Sequence, residues 1–263
     1  MNPADTLREK VCVITGASRT LGAEIARSMA RYGAIVIVNY FHSVDAAFAL
    51  CEELDALGGE GVPFQADISK PDEMTRLLEE VWARYDRIDI LVNNVGHFTE
   101  KPYLELPIEE FDTIHETNVR ATFVAMQIAG RRMKVRGEGS IVNIAATDAF
   151  HRTHTAYGLA KAGVIHLTEG MALELAPEVR VNAIAPDLIA DNEDMSASLV
   201  QSAVGGTPLR RLVTRAEIAE MTCLLCTPVF SSVTGRTLVM DGGRSIPRLN
   251  AGREACYKSL GAI

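Results

Sequence analysis

The stretch VCVITGASRTLGAEIARSMARYG, residues 11–33, decides the fold. It opens on a short apolar, β-branched run, passes through a turn holding Gly16, and continues as a segment of helical character. The same alternation repeats down the chain. AIVIVNY precedes VDAAFALCEELDALG, GVPFQAD precedes PDEMTRLLEEVWARY, and IDILVNN precedes a long helical span from Pro107 to about Met133. SIVNIA, a helix around Tyr157 to Leu175, VRVNAIAP, a helix near Ala216 to Cys226, and TLVMDGG complete the series. About seven strands alternating with helices predict an α/β protein, a doubly wound parallel sheet covered on both faces. Strands such as IVIVNY are apolar almost throughout, as burial on both faces requires.

With 263 residues and no Pro/Ser-rich or low-complexity linker, the chain reads as a single domain over 1–263. Neither an 18-residue apolar run nor a signal-peptide pattern is present, so a cytoplasmic protein without a membrane span is expected. A net charge of −8 with dispersed basic residues argues against nucleic acid or anionic lipid as partner. Five cysteines, Cys12, Cys51, Cys223, Cys226 and Cys256, are an odd and scattered set, which argues against a disulfide framework. Cys223 and Cys226 have CxxC spacing, but they lie in the apolar run EIAEMTCLLCTP without a second Cys or His pair. Core packing is the expectation there, and no metal site is expected.

In an open parallel sheet, ligands bind beyond the carboxyl ends of the strands. The informative residues do stand there. TGASRTLG, residues 15–22, leads from strand one into a helix whose unpaired N–H groups suit a pyrophosphate. NYFHS, ADIS, NNVG and AP follow strands two, three, four and six.

Together with Asn118 in ETNVRATF, YGLAK, VNAIAPD and the terminal VMDGG, these motifs resemble the short-chain dehydrogenase/reductase family over about residues 8–247. The resemblance implies a Rossmann-type domain, a nicotinamide cofactor, hydride transfer involving a small-molecule carbonyl or related double bond, and a homo-oligomer, tetramer or dimer. It places a substrate lid at about 187–213, while the tail 248–263 lies outside it. Gly16, Ser18, Arg19 and Leu21, then Asn39, Tyr40, His42 and Ser43, then Ala66 and Ile68 fall on the family's cofactor motifs, as do Val95 and Pro186. By the same likeness Asp67 holds the adenine amino group, Asn94 and Gly96 border the adenine ribose and nicotinamide side, and Ile189 approaches the carboxamide. Charge argues for the cofactor's form. No carboxylate ends strand two, where one would bind the ribose hydroxyls of NAD, and Arg19 adds a fixed cation with His42 and Ser43 as further donors. NADPH is the expected cofactor.

Tyr157 and Lys161 are one helical turn apart and share a face. A phenol is a poor acid near neutrality unless a neighbouring cation stabilises its anion, and Lys161 is expected to supply that cation. By resemblance Lys161 also binds the nicotinamide ribose, and Asn118 holds a water in a proton relay. Alignment of SIVNIAA on the family pattern puts Ala146 where a serine steadies the carbonyl oxygen. Loss of one such donor costs about 2.7–4 kcal/mol, roughly 10²–10³ in rate. Either Thr147 or Asp148 is a candidate to fill the role, and the candidate catalytic set is Tyr157, Lys161, Asn118 and Thr147. Thr20 stands where the family has a glycine, with a Cβ that would strain a positive φ; pteridine-reductase-like members also lack that glycine. Asp187 replaces a common glycine and Asp191 a threonine. Asp187, Asp191, Glu193 and Asp194 make the lid acidic, Gly205 and Gly206 would let it hinge, and His97, His151 and His154 are candidate pocket residues. The leading reading is an NADPH-dependent reductase of a ketone or a C=N/C=C group. The other is a non-redox descendant (dehydratase, cyclase or isomerase) or a nucleotide-binding module.

Overall fold

The structure, a computed structural model, describes residues 6–151, 154–192 and 195–246. All seven expected strands form: β1 (Val11–Ile14), β2 (Ile35–Tyr40), β3 (Glu60–Gln65), β4 (Ile90–Asn93), β5 (Gly139–Ile144), β6 (Val179–Pro186) and β7 (Thr237–Met240). They make one parallel sheet in the order β3-β2-β1-β4-β5-β6-β7. Chain order reverses between β1 and β4, which opens the crevice where such sheets bind ligands.

The strands' period of two sorts the core into two layers. Cys12, Ile14, Val36, Val38, Val92 and Ile144 face α1 (Thr20–Arg31), α2 (Val44–Ala56) and α9 (Arg215–Cys226), meeting Ile25, Leu50 and Cys223. Val13, Ile37, Leu91, Ile141 and Val181 face α3 (Pro71–Tyr85), α5 (Ala121–Arg136) and α7 (Ala156–Leu175), meeting Leu77, Met126 and Ala172. Truncating a filled position such as Leu77 to Ala costs about 2–5 kcal/mol by the usual cavity rule. Cys223 is therefore a core residue, and burial pushes its thiol well up.

The helical span expected from Pro107 to Met133 is divided. α4 (Ile108–His115) meets α5 through a π-helical turn, Glu116–Arg120, which hydropathy reads as one continuous helix. Asn39 and Tyr40, taken from sequence as lying beyond strand two, are its last two residues. A short helix, α6 (Asp148–His151), follows β5, and α8 (Ala197–Gly206) occupies the lid, with Gly205 and Gly206 as its closing residues. No described helix is long and apolar enough to cross a membrane. Glu193, Asp194, Cys256, the tail 248–263 and the side chain of His151 lie outside the described residues.

Candidate active site

The first wall of the crevice is the turn after β1. Gly16 has φ +60°, and a Cβ there would meet Val95 Cγ2 at 2.5 Å. A Cβ on Gly22 would lie 2.3 Å from the Gly16 carbonyl oxygen, so only hydrogen fits at either place. Two asparagines fasten the turn. Asn39, 1 % exposed, accepts the Gly16 N–H with Oδ1 at 3.1 Å, and its Nδ2 donates to the Ala66 carbonyl at 3.1 Å. Its side chain thus holds the wall from behind, which its place in the cofactor motif did not foretell. Asn94 Nδ2 donates to the Thr15 carbonyl at 3.1 Å and its backbone N–H to Thr15 Oγ1 at 2.9 Å. α1 begins without a side-chain cap, so its first N–H groups face the crevice as an anion site. Thr20, its first residue, has φ +48°, the strained conformation its sequence position implied.

This cradle fits a dinucleotide: the close glycine approach leaves room that a side chain would fill, and an uncapped helix faces it. Around it, Ser18 is partly exposed, while Leu21, Tyr40, Ala66 and Ile68 are buried. Arg19 is exposed and makes no ion pair among the described residues. His42 stacks on Phe41 at 3.8 Å, and Ser43 starts α2 without a side-chain bond. Asp67 Oδ1 accepts from Ser69 N at 3.1 Å and Oγ at 2.7 Å. Burial alone would raise the Asp67 carboxyl, but the Ser69 bonds and the Lys70 ammonium hold it below its ordinary value.

The second wall is α7. Thr155 caps it, accepting from Gly158 N at 3.1 Å, and so aims Tyr157 in the first turn. Lys161, 3 % exposed, donates from Nζ to the Ile144 carbonyl at 2.7 Å and lies 5.5 Å from the Tyr157 ring centroid. Burial pushes its ammonium down to about 8, against the opposing charge of Asp148. Burial, then Asp148, push the Tyr157 phenol well above its ordinary value. The expected lowering of the phenol is therefore not what this chain alone produces: desolvation prevails and favours the protonated phenol. Phe98, which the sequence did not single out, stacks edge-on against Tyr157 at 4.9 Å.

Asn118 lies in the π turn, fully buried, with Nδ2 donating to the His97 and Ile114 carbonyls at 3.0 Å each. Its Oδ1 is buried without a hydrogen-bond partner among the described residues, and a Cβ on Gly96 would come within 2.0 Å of it. Beyond β5, Ala146 is buried and Thr147 Oγ1 donates to Asp187 Oδ1 at 3.1 Å. Asp187 follows Pro186, the last residue of β6, and its Oδ2 accepts from Arg244 Nη1 at 2.7 Å. Sequence reasoning missed Arg244; its only signal was its place just past β7. Ile189 bridges to Val213, and Asp191 Oδ1 accepts the Arg215 N–H at 3.1 Å, which ties that acid to the start of α9. His97 and His154 are exposed, and His97 Nε2 lies 3.9 Å from Glu110.

Comparison with known proteins fits this arrangement. The family model described as enoyl-(acyl carrier protein) reductase matches residues 16–245. A 3-oxoacyl-acyl-carrier-protein reductase of Synechocystis is 34% identical, over 90% of this chain and 97% of its own length. The 7alpha-hydroxysteroid dehydrogenase of Escherichia coli K12 is 34% identical, over 91% and 96%. A solved structure of 7 alpha-hydroxysteroid dehydrogenase, complexed with NADH and 7-oxo glycochenodeoxycholic acid, superposes with a TM-score of 0.86 at 33% identity, covering 92% of this chain and 97% of that one.

Proposed function

The chain belongs to the short-chain dehydrogenase/reductase family of oxidoreductases, and on that premise we propose that it is an NADPH-dependent reductase of a ketone or a C=N/C=C group in a small molecule. The observation that carries this reading is the buried Lys161 ammonium beside a protonated Tyr157, past the carboxyl end of β5. When bound, a nicotinamide cofactor would bring hydride-transfer chemistry to this site. Gly16, Gly22 and the start of α1 would cradle its pyrophosphate, with Asp67 toward the adenine and Ile189 toward the carboxamide. Tyr157 donates the proton to the substrate heteroatom, so the hydride and proton together complete the reduction. Lys161 stabilises the phenolate left behind. The unpartnered Asn118 Oδ1 suits a water that returns the proton.

The preference for NADPH rests on this chain's own residues, since the solved relative holds NADH. Arg19 is free for a 2′-phosphate, and β2 ends without a carboxylate that would repel one. Titrating the protein with NADPH and NADH, and following absorbance with a panel of ketones and cyclic imines, tests both parts. NADPH should bind at least tenfold more tightly and be oxidised by some member of the panel. Tight binding without oxidation across the panel would instead favour a non-redox enzyme or a nucleotide-binding module.

A further inference from the structure

Resting on the reductase reading, we propose that Thr147, Asp187 and Arg244 convert the place beside the missing serine from a hydrogen-bond donor into an acceptor. The pocket would then select a substrate carrying an O–H or N–H donor on the carbon next to the reacting one, an α-hydroxy ketone or its α-amino counterpart.

The direction of the chain of bonds carries the argument. A carboxylate has no proton to give, so in the 3.1 Å contact between Thr147 Oγ1 and Asp187 Oδ1 the hydroxyl is the donor. A hydroxyl has one proton and two lone pairs, and with the proton committed it offers only acceptance. Asp187 cannot readily turn away, because its Oδ2 takes Arg244 Nη1 at 2.7 Å and its backbone N–H reaches the Met240 carbonyl at 3.3 Å. The turn bearing Arg244 is itself fixed: Asp241 accepts from Gly243 N at 2.8 Å and Ser245 N at 2.6 Å. Thr147 is held at its own end by its N–H to the Pro186 carbonyl at 3.0 Å. Loops after β5, β6 and β7 are thus tied in one chain of polar contacts at the carboxyl end of the sheet.

The turn that bears Thr147 packs on the helix that bears the acid. A Cβ on Gly158, the residue after Tyr157, would lie 2.9 Å from the Asp148 carbonyl oxygen, so the Thr147–Asp148 turn packs directly on the first turn of α7. On this proposal a ketone protonated by Tyr157 would meet Ala146, which has no hydroxyl, and Thr147, whose hydroxyl is committed to Asp187. A neighbouring O–H or N–H on the substrate can donate to Thr147, whereas an ether or a bare methylene cannot.

The test uses protein loaded with NADP and measures binding by titration calorimetry, with turnover measured separately. The ligands are trans-1,2-cyclohexanediol and 2-methoxycyclohexanol, and the turnover probes are 2-hydroxycyclohexanone and 2-methoxycyclohexanone. 2-Aminocyclohexanone separates an amine preference from a hydroxyl one. The diol should bind roughly three- to tenfold more tightly than the ether, the span of one neutral hydrogen bond. Thr147→Val should erase that ratio and Thr147→Ser restore it. Asp187→Asn, whose amide can donate to Thr147 and release its proton, should shrink it. Equal affinities in the wild type, no binding of either ligand, or a wild-type ratio in folded Thr147→Val would overturn the proposal. NADPH oxidation with a flat ratio defeats this proposal alone; a preserved ratio without oxidation of any ketone or imine defeats the reductase reading and leaves the acceptor in place.

Discussion

Two charges are buried to nearly the same depth at opposite ends of the sheet, and their surroundings differ. Asp89, 4 % exposed and just before β4, lies at the amino ends of the strands. Its Oδ2 accepts Val11 N and Arg87 Nε at 2.8 Å each, and its Oδ1 accepts Arg136 Nη2 at 2.9 Å with Lys10 Nζ at 3.4 Å. Burial alone would raise its carboxyl, yet the Arg87 and Val11 bonds and the nearby cations hold it below its ordinary value. Among the described residues, Lys161 at the carboxyl ends donates to a neutral carbonyl alone, and burial outweighs the charge of Asp148 and pushes its ammonium down to about 8. A buried charge held by several charged and hydrogen-bonding partners braces the fold; one held by a carbonyl and the more weakly opposing charge of Asp148 is poised near working pH, where a change of protonation has chemical consequences.

The sharpest way to separate the two ends is to change one group at each and read both rate and stability. Tyr157→Phe should lower turnover by about 10²–10⁴, the span of general acid catalysis, with little change in the unfolding midpoint. Its hydroxyl makes no hydrogen bond among the described residues. Asp89→Asn should do the reverse. Leaving three cations around a neutral amide costs about 3–5 kcal/mol of stability, with turnover per folded molecule preserved. Because the folded carboxyl titrates below the unfolded one, near pH 3.9, the wild type's advantage should be full above that pH and fade as pH falls through the folded value. Loss of turnover in folded Asp89→Asn would collapse the distinction.

Lys161→Met probes the same contrast through pH. The folded ammonium titrates near 8 and the unfolded one near 10.5, so between those values the unfolded chain binds more protons. Stability from this group therefore rises with pH across that window, by about 3 kcal/mol. The wild type should gain on Lys161→Met by that amount from pH 8 to 10.5 in denaturant titrations, while the variant loses turnover at every pH. Parallel curves would mean that the ammonium is not desolvated.

The contrast also marks what the sequence could reveal. Apolar strands, the glycine turn and YGLAK were legible because each is a local pattern. Asn39 was legible as a motif position but not as a brace, since only the strand's pleat turns its amide inward to Gly16 and Ala66. The π turn that carries Asn118 leaves no mark on hydropathy. Arg244 reaches Asp187 across 57 residues because β6 and β7 are neighbours in the sheet, a pairing that no short window contains.

A smaller test compares backbone strain on the two sides of β1. Glu9, before the strand, has φ +60°, and Thr20, after it, has φ +48°. An unbranched side chain tolerates this region with modest cost, whereas a β-branched one crowds its own backbone. Local strain of this kind costs about 1–3 kcal/mol, and glycine's added freedom in the unfolded chain returns about 0.5–1 kcal/mol of that. Thr20→Gly should therefore raise stability by about 0.5–2 kcal/mol in urea titration, and Glu9→Gly by less. Removing the Cβ also clears the approach to the α1 N–H groups, so NADPH should bind Thr20→Gly at least as tightly as the wild type. Equal gains at both positions would show that the strain belongs to the left-handed backbone itself, and would remove the claim that the carboxyl end of β1 carries a specific burden in its threonine.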